Sequence, residues 1–386
     1  MTDGNEELAR RAARVLPRGN SRATLYVPPA APYAVRGAGA VVTDADGHDV
    51  IDVNNNYTSL IHGHAHPDVT GAAVRAARDG SAFGLPTGAE VALAERLTDR
   101  FGRDLRWRFA NSGSEAVMMA LRAARAFTGR ELVVRLAGAY HGTYDQVVAP
   151  DEPGVPGPAR AATVSVPPDD VEALGEVFRV HGERIAAVLV DLMPNRAGLR
   201  PVSAAFAAAV RREAEAAGAL VVVDEIITYR LGLAGLQADY GLVADLTTVA
   251  KVIGGGFPVG ALGGRPEVMA CFDPERARGI HWGGTFSANP VTMAAGAAAL
   301  AAYGPEAIEA LNRRGDALRA RLAAAGLEVT GRGSLLRVFP DDPERAWWEL
   351  YRRGVLVSVN GLIALSTTMT DEQVDTVGAT LLAVLA

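Results

Sequence analysis

The sequence predicts an α/β protein with a large domain built on a mostly parallel, helix-flanked sheet and a smaller α+β domain at the C-terminal end. Three observations predict it. From about residue 107 to 263, short apolar runs alternate with stretches of 3.6-residue apolar spacing, the pattern of strands and their covering helices. Those runs are near-continuous in Val, Ile and Leu, as in strands buried on both faces. Beyond residue 305, helices and short isolated strands follow one another on a smaller scale. With 386 residues the chain can bury a large core and fill two or three domains. We expect an arm over residues 1–45, a large domain over 46–295 and a small domain over 296–386.

In chain order, residues 6–15 read as a helix stopped by Pro17 and Gly19. Pro28, Pro29 and Pro32 favour an extended arm, with Arg22 a lone cation entering it. Residues 40–43 and 48–52 form a hairpin about a turn at 44–47. His62, His64 and His66 alternate in a loop containing Gly63 and Pro67. No Cys and no well-spaced carboxylate joins them, so no metal site is expected. Helices follow over 67–79 and 88–101, a strand over 107–111, a long helix running to Phe127 and a strand over 132–134. Residues 151–168 read as a surface loop on their Pro and Gly content. A strand over 186–192, a helix over 206–217 and strands over 220–223 and 247–250 complete the large sheet. A Gly-rich loop at 281–290 leads into an Ala-rich helix. The C-terminal part reads as helix 305–325, strand 335–339, helix 344–354, strand 364–366 and helix 371–385.

Composition excludes several classes. A net charge of −6 leaves no basic footprint for nucleic acid or an anionic membrane. One cysteine, Cys271, allows no internal disulfide and fits a reducing compartment. No secretory leader pattern is visible, and apolar stretches such as 293–303 fall short of the roughly 18 residues of a membrane span. A cytoplasmic protein is expected.

The chemistry centres on Lys251, the only lysine among 38 cationic residues. A lysine can lose its proton and attack a carbonyl, whereas a guanidinium stays charged. A surface lysine in an Arg-biased chain is the bland alternative. The flanking Gly254, Gly255 and Gly256, and Asp224 at the end of a neighbouring apolar run, favour an active site instead. A strand-end carboxylate and a lone amine suit a carbonyl cofactor with a basic ring nitrogen, as in pyridoxal phosphate. Ser112, Gly113 and Ser114 open a long helix, where backbone N–H groups and the helix dipole favour a phosphate. Ser112 and Glu115 also satisfy an ordinary capping box, and both can hold at once. Tyr140, just past a strand, could stack on a flat ring. Asp191, Asp224, Lys251, Tyr140 and Ser112–Ser114 all follow predicted strands, where open parallel sheets bind ligands.

These motifs, in this order and spacing, resemble the class III aminotransferases of pyridoxal phosphate fold type I, near the glutamate-1-semialdehyde aminomutase branch. The carriers are Asn111 to Ala116, Tyr140-His141-Gly142, Asp224-Glu225, Lys251 to Gly256 with Pro258 to Gly260, and Gly284 to Pro290. Residues 57–64 and 21–24 resemble aminotransferases of β-amino acids such as β-phenylalanine. The resemblance implies that Lys251 would hold the cofactor as an internal aldimine and shuttle a proton. Asp224 would keep the ring nitrogen protonated. Ser112, Gly113 and Ser114 would hold the phosphate, and Tyr140 and His141 would line the ring. Thr285 would reach the neighbouring subunit's cofactor, implying a homodimer with active sites at its interface. Arg22, with Tyr57, would clamp a substrate carboxylate. The chain departs from the family's pattern at three places. Asp191-Leu192 replaces the usual Glu-Pro, and Arg196 stands where aminomutases carry Asn, adding a candidate anion clamp. Residues 357–361 lack the Arg that some β-amino-acid enzymes carry there. The expected activity is an aminotransferase; an aminomutase is the alternative, a lyase or decarboxylase a third reading, and a cofactor-binding regulator the non-enzyme one.

Overall fold

The computed structural model describes residues 4–149, 151–277 and 279–386. The chain forms two compact units, one of residues 68–308 and one of residues 1–67 with 309–386.

Among the described residues the strands in chain order are β1 (Ala34–Ala38), β2 (Val41–Asp44), β3 (Asp49–Asp52), β4 (Arg106–Ala110), β5 (Leu132–Leu136), β6 (Thr163–Val166), β7 (Ile185–Val190), β8 (Leu220–Asp224), β9 (Leu246–Ala250), β10 (Gly260–Gly264), β11 (Val329–Arg332), β12 (Leu335–Val338), β13 (Val355–Leu356) and β14 (Leu362–Ala364).

The unit of residues 68–308 is built on a seven-stranded sheet of order β4-β10-β9-β8-β7-β5-β6. Strands β6, β5, β7, β8 and β9 pair in parallel, while β10 runs antiparallel to both β9 and β4. Central β7 is Ile-Ala-Ala-Val-Leu-Val and every residue is fully buried, which is why its sequence is apolar throughout rather than alternating. The helix Gly113–Thr128 covers one face. Its Val117, Ala120, Leu121 and Ala124 pack with Val133, Leu189, Val222 and Leu262 of the sheet in one core. Ala at close-packed positions lets the helix approach the sheet, and Ala has the highest helix propensity.

Two elements differ from the expectation. Residues 151–168 are not all loop: they hold a short helix, Gly157–Ala161, and the edge strand β6. Thr163–Val166 is only four residues long, and it is extended because β5 offers it a backbone ladder. Strand β10 was hidden by its glycines, which disfavour strands in isolation. They are needed because neighbours occupy their side-chain space. A Cβ on Gly260 would lie 1.9 Å from the Ser112 carbonyl oxygen, and one on Gly263 would lie 2.5 Å from the Trp107 ring.

The other unit contains two small sheets, β1-β2-β3-β13 and β11-β12-β14. The expected hairpin is β2 and β3, with β1 added antiparallel from the segment expected to be an extended arm. Val355 and Leu356 pair in parallel with Ile51 and Asp52, which ties the N-terminal segment to C-terminal residues. Asp44 is buried between them and accepts from the Tyr351 hydroxyl at 2.7 Å.

Candidate active site

The carboxyl ends of β4, β5, β7, β8 and β9 lie at one edge of the seven-stranded sheet. The register sets this: Val190 pairs with Val223, Asp224 with Thr248, and Gly260 with both Ala250 and Ala110. The residues just past those ends are Ser112–Ser114, Tyr140 and His141, Asp191 and Arg196, Asp224, and Lys251.

Asp224 closes β8 and is buried. Its Oδ2 lies 2.7 Å from His141 Nδ1, and its Oδ1 accepts the Ile226 amide at 3.0 Å. A carboxylate at that distance places the ring proton on Nδ1, leaving Nε2 as the acceptor. That Nε2 is buried and has no hydrogen-bond partner among the described residues. The resemblance marked His141 as a residue lining the ring; its contact with Asp224 is set by the tertiary structure.

Asp191 follows β7 directly and stands beside Asp224 across the parallel pair. It is buried too, with Oδ1 accepting the Met193 amide at 2.9 Å. Two adjacent buried carboxylates cannot both ionise cheaply. Burial, and then the Asp224 charge, push the Asp191 carboxyl up to about 7, against the opposing pull of His141. Asp224 has the imidazole as its partner, while among the described residues Asp191 accepts only the Met193 amide. Glu225, the next residue, is pushed up to about 7, chiefly by burial. It accepts from the Thr228 hydroxyl, the Leu236 amide at 2.9 Å and the Gln237 amide at 2.7 Å, so it organises the turn at Leu236–Tyr240.

Lys251 follows β9 with φ of +54°, in the left-handed region that costs a side-chain-bearing residue energy. Burial lowers its ammonium pKa below the ordinary lysine value, and the charges of Asp224 and Asp191 act in the opposite sense. Desolvation thus favours the neutral, nucleophilic amine.

At the start of helix Gly113–Thr128, Ser112 is the N-cap and accepts the Glu115 amide at 3.2 Å. The Glu115 carboxylate accepts from the Asn111 amide at 2.8 Å and the Ser112 hydroxyl at 3.1 Å. The cap is therefore real, with Glu115 reaching one residue further back than in an ordinary capping box. The Ser112 hydroxyl is engaged by it. The amides of Gly113 and Ser114 belong to the first turn and have no intrahelical partner. Gly142, at φ +102°, crosses this end so closely that a Cβ would sit 2.3 Å from Ser114 Oγ. A Cβ on Gly113 would sit 2.6 Å from Ile226 Cδ1. The loops after β5 and β8 thus close around the helix start. Tyr140 is 43% exposed, and the Arg196 guanidinium carbon stands 4.1 Å from its ring centroid.

Thr285 follows Gly284, where a Cβ would lie 3.4 Å from Asn111 Nδ2, and is exposed in a cavity of about 320 Å³ that it shares with Phe83, Leu85 and Trp107. Arg22 and Tyr57 belong to the unit of residues 1–67 and 309–386, where both line one cavity of about 360 Å³. Arg22 Nη1 donates to Asn56 Oδ1 at 2.8 Å, and the Tyr57 hydroxyl donates to the Thr24 carbonyl at 2.5 Å. Asn55 to Thr58 all have positive φ. This strained turn is held by Asp52, which accepts the Asn54 and Asn55 amides at 2.8 Å each, and by Asn55 Nδ2 donating to the Ala364 carbonyl at 2.7 Å. His64 Nε2 meets Asp52 Oδ2 at 2.7 Å, and His62 Nδ1 meets the Thr367 hydroxyl at 2.8 Å. Among the described residues no group of three or more His, Cys, Asp or Glu could hold a metal ion, and no helix is long and apolar enough to cross a membrane.

The family model of the class III aminotransferases matches residues 26–385. The chain belongs to this family. It is 37% identical to the beta-phenylalanine transaminase of Variovorax paradoxus, over 97% of this chain and 92% of that enzyme. It is 39% identical to the glutamate-1-semialdehyde 2,1-aminomutase of Aeropyrum pernix, over 84% and 78%. Among solved structures, an omega-transaminase from Sphaerobacter thermophilus superposes with a TM-score of 0.95 at 39% identity, covering 100% of this chain and 97% of that one. A transaminase with bound pyridoxal phosphate gives 0.96 at 38% identity over the same shares. As a class III aminotransferase the chain is an enzyme dependent on pyridoxal phosphate, of fold type I.

The donor set at the sheet edge fits that cofactor in kind. A first helical turn with unpaired amides suits its phosphate, a buried carboxylate suits a protonated ring nitrogen, and a desolvated amine suits its aldehyde. The close approach of Gly142 to Ser114 is a cradle that any side chain there would fill.

Proposed function

We propose that this enzyme transfers an amino group from a carboxylated amine, a β-amino acid in the first instance, to a keto or aldehyde acceptor, with Lys251 as attachment point and proton carrier. The observation that carries this reading is the setting of Lys251: a lone amine just past the carboxyl end of β9, its pKa lowered by burial, on the sheet edge where the neighbouring β8 ends in the buried Asp224. When bound, pyridoxal phosphate supplies a carbonyl for the amine to condense with and a ring that accepts the electron pair left on the substrate carbon.

The residues divide the rest of the work. Lys251 Nζ, biased towards the neutral amine by burial, would carry the proton removed from the substrate carbon. Asp224, buried and 2.7 Å from His141 Nδ1, would be the acid partner of the ring nitrogen. Gly113 and Ser114 would hold the phosphate through their amides. Ser112 sets the helix start, and Tyr140 would face the ring. Arg22 and Tyr57 are proposed as substrate contacts on the resemblance to β-amino-acid enzymes. The relative named a beta-phenylalanine transaminase supports that substrate class.

We further propose a cytoplasmic homodimer in which Thr285 serves the partner's cofactor. The exposed Phe83, Leu85, Val91 and Phe286 support it, since large apolar side chains in contact with water mark interfaces. The relatives named aminomutases keep a second reading open, in which the amine moves along one substrate without release.

The test is a screen of α-, β- and ω-amines against the holoenzyme, following loss of the visible band of the lysine-bound cofactor. The band should be present on purification, and β-amino acids should discharge it only to the extent of one turnover until an acceptor is added. Continued turnover without acceptor would favour the aminomutase. Lys251→Ala should lower turnover by at least about 10³-fold, a large part of the acid–base and covalent contribution. Borohydride should fix the cofactor at a single site, because no other lysine exists; fixation elsewhere would remove the reading.

A further inference from the structure

We propose that Arg196 is a carboxylate-binding residue that selects carboxylated over carboxylate-free substrates, using the Tyr140 ring as its platform; this rests on the aminotransferase reading above. Arg196 lies in the short turn Asn195–Ala197 that follows β7, on the same sheet edge as Asp224 and Lys251. Its guanidinium carbon is 4.1 Å from the Tyr140 centroid, so it is seated over the face of the ring. Tyr140 is joined to His141, and His141 contacts Asp224 at 2.7 Å. Two direct contacts and one peptide link therefore connect Arg196 to the buried carboxylate of the cluster.

The stacking geometry decides what the cation can do. A guanidinium on an aromatic face spends its π surface on the ring, while its N–H donors point outward in its own plane. Those donors make no hydrogen bond or ion pair with any described residue, and the side chain is exposed. A planar fork of free donors held still by a ring is suited to a planar, bidentate anion, which a carboxylate is. The stacked ring also removes much of the rotamer entropy that a free arginine loses on binding. The surrounding charge argues in the same direction. Asp191, Asp224 and Glu225 are all buried carboxyl groups on the same edge, and Arg196 is the cation that could receive a substrate's negative end without bringing it against them. Residues 357–361, Val-Ser-Val-Asn-Gly, offer no arginine for that purpose.

The carboxylate could belong to the amine donor or to a 2-oxo acid acceptor, and the experiment separates them. Wild-type holoenzyme, Arg196→Gln and Arg196→Lys are compared in each half-reaction. The donor arm pairs 3-amino-3-phenylpropanoate with 1-phenylethylamine, and the acceptor arm pairs pyruvate with propanal. In at least one arm, Arg196→Gln should reduce the preference for the carboxylated compound, as a ratio of kcat/KM values, by about 10- to 100-fold, the range for losing a charged hydrogen-bond pair. The loss should lie mainly in KM. Arg196→Lys should recover only part of it, because a point charge lacks the fork. A readout independent of turnover is calorimetric binding of 3-phenylpropanoate, which has no amine to react; Arg196→Gln should weaken it by a similar factor. Preference ratios unchanged in both arms, or inert-carboxylate binding unchanged, would overturn the assignment while leaving Lys251 and the cofactor in place. A wild-type protein that shows no visible band and converts no amine would overturn the aminotransferase reading itself.

Discussion

Lys251 and its acidic neighbours show how much a single residue's chemistry depends on what stands beside it. The lone lysine and the strand-end Asp224 are legible in the sequence because each follows a recognisable apolar run. The raised pKa of Asp191 is not, because it arises from burial and from the sideways pairing of β7 with β8. That shift has a measurable consequence. A buried acid whose folded pKa is raised favours folding while protonated and costs stability once it must ionise. For Asp191, with an ordinary value of 3.8 and a folded value of about 7, stability of the apoprotein should fall as pH rises across that window. Asp191→Asn should flatten the slope. The slope that remains should come from Glu225, also pushed up to about 7. Denaturation midpoints of the two proteins between pH 4 and pH 7 check this; an identical slope would mean that Asp191 is not the group that titrates there.

The helix Gly113–Thr128 carries two duties at its first turn, and they can be separated. Ser112 caps the helix, while Gly113 and Ser114 present their amides. Ser112→Ala should cost about 1 kcal/mol of apoprotein stability in chemical denaturation, the usual value of an N-cap. Gly142→Ala should act differently. Its added methyl would lie 2.3 Å from Ser114 Oγ, and its φ of +102° suits only glycine. We expect it to weaken cofactor retention more than Ser112→Ala does, measured by dialysis and the visible band. Equal loss in both variants would mean that Gly142 does not shape the anion site. The other elements the sequence missed have similar causes. β10 is glycine-rich because Trp107 and the Ser112 carbonyl fill the space its side chains would need, and β6 is an edge strand held by β5.

At the scale of the whole molecule, the homodimer proposal predicts that active sites draw on both subunits. Lys251→Ala and Thr285→Ala each remove a different part. Mixed after partial denaturation, they form hybrids in which one site lacks both groups and the other lacks neither. Activity should then return, to at most one working site per hybrid dimer. No return on mixing, with hybrids shown to form by mass, would assign Thr285 to its own subunit. The apolar Phe83, Leu85 and Phe286 should become protected from solvent labelling in the same oligomer.

By itself, the sequence determined the alternating α/β class, the helices Pro67–Asp79, Gly88–Phe101 and Asp371–Leu385 at their observed ends, and the placing of a lone amine and an acid just at the ends of two strands. These depend on periodicity, caps and residue type, which are local properties of the chain. Only the tertiary structure decided that Asp191 is buried beside Asp224, that His141 braces Asp224, that Gly142 closes on Ser114, and that Arg196 lies over Tyr140. Each of those joins residues more than 25 positions apart, and strand register, which no short window of sequence contains, is what brings them into contact.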